Sequence, residues 1–177
     1  MPKATIPSGD LINLADCYLF VPSCGEVKFH ALPDLSDTKS AVYAGEPIIG
    51  RATTLDTYSH SDARNISLTI HLHARKKADC FENLQILRAI QSATYPREQE
   101  SGFSFIPPPV CRLKCGKLLA DEELCVYLKS YSTKFPRDVP WDEDTYTPWY
   151  FTIDTSWTVV YKNSDLPGQN RILNTGR

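Results

Sequence analysis

The 177-residue chain is long enough for one domain with arms and too short for two full domains. Hydrophobic residues at 42% and charged residues at 23% exclude a wholly disordered chain. A net charge of −2 gives no electrostatic case for binding nucleic acid or an anionic membrane.

The first ten residues carry one lysine and no apolar run, so no secretory signal is expected and the chain is read as folding in a cytosol. Short strands are predicted over residues 16–21 and 26–32. Residues 33–64 follow with many polar side chains and no clear period; a stretch that long without regular structure points to a functional loop or to one ordered by a partner. Residues 65–73 then alternate strictly, with Ile66, Leu68, Ile70 and Leu72 on one face and Ser67, Thr69, His71 and His73 on the other, the mark of a half-buried antiparallel strand.

Residues 79–94 contain neither Gly nor Pro and place Cys80, Leu84, Leu87 and Ile90 at helical spacing. Asp79 with Glu82 three residues on reads as a capping box, and Tyr95-Pro96 ends the helix because the residue before proline avoids the α region. Residues 97–109 have no assigned structure and run into a triple proline. Strands are predicted at 110–115 and at 124–133, the latter with Leu124, Val126 and Leu128 on one side and Cys125, Tyr127 and Lys129 on the other. The last alternation, residues 149–161, puts Trp149, Phe151, Ile153, Trp157, Val159 and Tyr161 opposite Thr152, Asp154, Ser156 and Thr158. At about 3.3 Å per residue it predicts a strand of roughly 43 Å, long for an ordinary sheet. The fold class expected is mainly β: an antiparallel β-sandwich or partial barrel with one flanking α-helix.

Six cysteines need a role: Cys17, Cys24, Cys80, Cys111, Cys115 and Cys125. Their spacings lack the close pairs with which structural zinc sites grip one ion, so no metal is expected. Cys111 and Cys115 share a strand face about 13 Å apart, too far to bridge each other. Each needs another partner, in the fold or on a neighbouring chain, or is a buried free thiol. His71 and His73 could offer two ligands from one side of a sheet, but Arg75, Lys76 and Lys77 make the local field unfavourable to a cation. Asp142, Glu143 and Asp144 read as a solvated turn. No nucleophile, phosphate-loop or dinucleotide motif occurs, so neither catalysis nor a cofactor is expected.

Three runs, Glu46-Pro47-Ile48-Ile49-Gly50-Arg51, Leu55-Asp56-Thr57-Tyr58-Ser59 and Arg64-Asn65-Ile66-Ser67-Leu68-Thr69-Ile70-His71-Leu72, taken in order, resemble the tail-tube initiator and baseplate hub-tube proteins of contractile-tailed bacteriophages. The helix end from Leu87 to Pro96, the Pro107-Pro108-Pro109-Val110 entry to a strand, and the closing alternation continue the likeness across residues 45–161. The resemblance implies a tail-tube-like β domain there, with residues 1–44 an N-terminal arm and first strands and 162–177 a C-terminal tail. It further implies a structural virion protein, assembled in the bacterial cytoplasm, that forms a ring, a hexamer in this family. That ring would connect the hub to the tail tube and template tube assembly. The partners implied are its own copies, the tail tube protein, and baseplate hub and wedge proteins, with DNA passing through the bore unbound and no membrane involved. Thr152, Asp154, Ser156 and Thr158 are then candidates for a bore-lining or inter-subunit face, and the over-long last strand a candidate for joining neighbouring subunits. The alternative is a cysteine-rich β-sandwich binding module that holds a ligand with its long loops.

Overall fold

A computed structural model describes residues 17–50, 52–98, 105–120 and 123–161. The first part of the N-terminal arm, the C-terminal tail 162–177 and Arg51 of the resemblance motif lie outside the described residues. In chain order the elements are β1 (Cys17–Val21), β2 (Gly25–Lys28), β3 (Asp34–Thr38), β4 (Ala41–Glu46), β5 (Leu55–Ser61) and β6 (Asn65–His73). They continue with α1 (Lys77–Ser92), β7 (Arg97–Glu98), β8 (Phe105–Ile106), β9 (Cys111–Cys115), β10 (Leu124–Lys134) and β11 (Tyr150–Val159). The fold is mainly β and antiparallel with one helix, as the alternation predicts. Seven strands form one open sheet in the order β2-β1-β9-β10-β11-β6-β3, while β4 pairs only with β5, and β7 with β8.

One face of the main sheet is apolar because each strand delivers its alternate residues there. Leu19 and Val21, Ile66 to Leu72 in steps of two, Leu113, Phe151, Ile153 and Trp157 are almost fully buried. Each such aliphatic side chain contributes about 1.5–3 kcal/mol by leaving water. Helix α1 covers this face with Ile86, Leu87, Ala89 and Ile90. The helix starts two residues before the sequence suggests. Asp79 occupies the third position and reaches back to accept from the backbone N–H groups of Arg75 and Lys76 at 2.8 and 3.0 Å, so it closes the N-terminus from inside rather than as the first cap.

One polar residue interrupts the apolar face of β11. Thr155 is buried and its hydroxyl donates to the Leu68 carbonyl at 3.1 Å while accepting the Trp157 indole N–H at 2.8 Å. The threonine thereby satisfies the one polar atom that a buried tryptophan brings.

Two strands differ from the sequence pattern. β11 has ten residues rather than thirteen, about 33 Å, and is hydrogen-bonded on both sides, to β10 and to β6, along nearly its whole length. It therefore has no free edge to offer a neighbour, which corrects the expectation that this strand extends out of its own core. In β10 a bulge between Leu128 and Ser130 resets the alternation, so Tyr131 and Thr133 turn inward after Val126 and Leu128. Tyr131 then hydrogen-bonds toward Gln91 and Tyr95 at the helix end.

The greatest departure is the segment read as a loop, 33–64. It holds edge strand β3 and the β4–β5 hairpin, in which every described residue of both strands is exposed. β3 is fastened to the body at both ends. At one end, His71 Nε2 meets Asp34 Oδ2 at 2.9 Å. At the other, buried Arg64 holds Asp37 in a two-pronged pair, Nε to Oδ1 at 2.8 Å and Nη2 to Oδ2 at 2.5 Å, and donates to the Leu119 carbonyl at 3.1 Å. Beyond β3, Asp62 N–H donates to the Ser40 carbonyl and the two side chains hydrogen-bond, closing the base of the hairpin.

Candidate functional site: an open sheet face, a projecting hairpin and six thiols

The face of the sheet away from α1 is uncovered by any described element. The strand register sorts its residues into rows. One row is Ser36, Ser67, Ser156 and Ser130, running across β3, β6, β11 and β10; the next is Asp34, Thr69, Asp154 and Ser132. Short hydroxyl side chains therefore pave this half of the sheet, and the two carboxylates among them, Asp34 and Asp154, both have partners within the chain. Asp154 accepts from Thr69 at 2.8 Å and from Lys134 at 2.6 Å, and these two contacts, Lys134 first, hold its carboxyl below the usual aspartate range. Toward the other edge, Arg112 sits 4.3 Å from the centre of the Phe20 ring and 3.0 Å from Glu123, which also accepts from the Tyr18 hydroxyl at 2.6 Å.

Of the four candidate face residues, Thr152, Asp154 and Ser156 are partly exposed on this surface. Thr158 is not available there: it is 2% exposed and its hydroxyl donates to Asn65 Oδ1 at 2.9 Å. The side chain that alternation places on the polar face thus serves to tie β11 to β6.

The histidines lie on the polar face as read, within a local network. Tyr150 hydroxyl and His71 Nδ1 are 3.0 Å apart, and the His73 ring stacks on Tyr150 with centroids at 4.5 Å. Partial burial, then the neighbouring His71 and Arg75, lower the His73 pKa. The acidic run organises a turn: the buried Asp142 carboxylate accepts from the Thr145 N–H and hydroxyl at 3.0 and 2.7 Å, while Asp144 meets Lys77 at 2.6 Å. Among the described residues no group of three or more His, Cys, Asp or Glu converges as metal ligands. A shallow cavity of about 570 Å³ between β2 and α1 is lined by both signs of charge, Glu26, Lys28, Glu82 and Arg88 among them, over an apolar floor of Val27 and Ile86.

The hairpin exposes a set of apolar side chains to solvent. Tyr43 and Tyr58 make an edge-to-face pair on it, both about 60% exposed, and Ile49 at the turn is fully exposed. The Pro47-Ile48-Ile49-Gly50 motif forms this turn, with Gly50 at φ +91°, a conformation that side chains other than glycine rarely adopt.

The thiols divide sharply. Cys17, Cys80, Cys111 and Cys115 are buried and Cys24 and Cys125 are exposed. Cys111 and Cys115 share a face, as their spacing requires, but it is the inward face, so neither is placed to cross-link a neighbouring subunit. Cys111 is pushed up to about 11 by burial. Cys115 instead faces Cys17 across the β1–β9 pair, with the two Sγ atoms 3.3 Å apart. The Cys17 thiol donates to Cys115 Sγ, and this shared hydrogen bond lowers the pKa of Cys17 and, together with burial, raises that of Cys115 strongly. Cys125 lies on the open face and Cys24 in the β1–β2 turn beside Ser23 and Ser92.

No protein-family model matches the chain, and no curated protein is similar to it. No helix among the described residues is long and apolar enough to cross a membrane.

Proposed function

We propose that the chain is a structural subunit of a contractile phage tail, forming a ring that connects the baseplate hub to the tail tube and templates tube assembly, without catalysis. The observation that carries this reading is the β4–β5 hairpin. A two-stranded hairpin with no covered face is at best marginally stable in water, and this one exposes Val42, Tyr43, Ile48, Ile49, Leu55 and Tyr58. Such an element is economical only if another chain covers it, and both edges of the main sheet, β2 and β3, are open to pairing. The open face fits a wet bore: hydroxyl rows whose own charges are carboxylates, Asp34 and Asp154, give phosphates little to hold, so DNA slides past without counterion release. The sequence resemblance joins these features, since its Pro47 to Gly50 motif is the hairpin turn and its Asn65 to Leu72 run is β6.

The test compares the wild-type chain with Ile49→Asp and Tyr58→Ser in the hairpin, following mass in solution and the rate at which tail tube protein polymerises on the chain. Wild type should form rings and shorten the lag of tube growth, while both variants remain folded monomers that do neither. Variants that assemble and nucleate like wild type would overturn the role given to the hairpin. A wild-type chain that stays monomeric and never joins tube or hub would defeat the function itself and leave the binding-module alternative.

A further inference from the structure

We propose that Cys17 and Cys115 are a disulfide site: on meeting a small-molecule disulfide they bond to each other within one chain and staple β1 to β9. The two residues are direct register partners in antiparallel strands. Side chains so placed have Cβ atoms about 4.5–5.5 Å apart, close to the 3.5–4.5 Å that a disulfide spans. The Sγ atoms are already 3.3 Å apart, so a bond needs a small approach of two side chains and no rearrangement of the backbone. They are remote in sequence, 98 positions apart, and the bond would close most of the described fold into one loop.

Access comes from where the pair sits. Cys17 is the first residue of β1, Cys115 the last of β9 before a turn with Gly116 at φ +54°, and β1 has only the four-residue β2 between it and the edge of the sheet. The β1–β2 hairpin joins the rest of the sheet through β9 alone, and its local opening uncovers both sulfurs without global unfolding. The thiol–thiol hydrogen bond also selects the order of events, because it stabilises the Cys17 thiolate first.

The chemistry balances with oxidised glutathione as oxidant. The Cys17 thiolate attacks one sulfur of the small disulfide, whose S–S bond breaks, and the departing thiolate takes up the proton that Cys17 lost. Cys115 then gives up its proton and attacks Sγ of Cys17 in the mixed disulfide, expelling the second glutathione as a thiol. Two electrons and two protons pass from the protein to the small disulfide. Cys125, exposed on the open face, stops at the mixed disulfide. If the chain is a phage tail subunit, the pair stays reduced during assembly in the cytoplasm and closes after release; the bond itself does not depend on that role.

The experiment uses the full chain as Cys24→Ser, because Cys24 is exposed and shares with Cys17 the tryptic peptide 4–28. An equal mixture of ¹⁴N- and ¹⁵N-labelled chains is equilibrated with oxidised glutathione, alkylated, digested and mapped by mass. The expected product is peptide 4–28 joined to peptide 115–117, in species of uniform label only, vanishing on reduction and accompanied by a higher urea midpoint. Recovery of Cys17 and Cys115 as separate alkylated or glutathionylated peptides would overturn the proposal. So would links of mixed label, which would mean that the bond runs between chains. Adding Cys17→Ser should abolish the link without sending Cys115 to another partner, and the map of the Cys24→Ser chain stands even where that double variant fails to fold.

Discussion

The Asp37–Arg64 pair decides whether β3 stays on the sheet, and with it whether the hairpin projects from a fixed base. Replacing Asp37 by Ala leaves a guanidinium, 8% exposed, with the Leu119 carbonyl and the Tyr161 hydroxyl as its remaining partners. Stranding a buried charge in this way costs about 3–5 kcal/mol; because Asp37 is itself 31% exposed, the lower end applies, about 3 kcal/mol. Replacing Arg64 by Met strands only a carboxylate that water can reach, and should cost less, about 1–2 kcal/mol. The double variant should lose clearly less than the sum, with a coupling of about 1–2 kcal/mol. Urea unfolding followed by tryptophan fluorescence measures all three, and limited proteolysis between β3 and β4 reports whether the edge has come loose. In 0.5 M salt the loss should persist, since a pair this enclosed is poorly screened. An Asp37→Ala chain within about 0.5 kcal/mol of wild type, or losses that simply add, would refute the clamp.

Other consequences follow from single side chains. Asn83 on α1 is fully buried and neither of its polar side-chain atoms has a partner among the described residues, so Asn83→Leu should raise stability by about 1–2 kcal/mol in urea unfolding, against an expected loss if the amide is held. Thr158→Val should lower stability by about 1 kcal/mol while leaving assembly intact, and a defect in assembly without loss of stability would return Thr158 to the open face. The Asp142 carboxyl is held below its ordinary value, first by the Thr145 hydroxyl and then by the Thr145 N–H. A depressed carboxyl stabilises the fold above its unfolded pKa and ceases to do so as pH falls through its folded one. The turn should therefore hold through mildly acid pH and open only below the ordinary aspartate range, seen as a change in Trp141 fluorescence; opening at or above that range would contradict the assignment.

What was legible in the sequence was what burial writes into it. Ile66 to Leu72 and Phe151 to Val159 alternate because one side of β6 and β11 faces the core, and the helix shows its apolar spacing because it covers that core. The hairpin could not be read in the same way: with β4 and β5 exposed on both faces, nothing imposes a period of two, and the segment passes for a loop. The extra residue at the β10 bulge hid Tyr131 by shifting the alternation. Thr155 is a polar residue on the apolar side of the last alternation, and its role depends on a tryptophan partner that the pattern alone does not show. For the thiols, spacing gave the shared face of Cys111 and Cys115 but not its direction, and a contact between residues 98 apart leaves no local trace.

The central claim is that this chain works as one subunit of a ring. Electron microscopy of the purified protein, alone and with tail tube protein, tests it most directly. The account predicts closed rings with an open centre and tubes that begin on them. Isolated 20 kDa particles under both conditions, with tubes forming at the same rate in their absence, would contradict it.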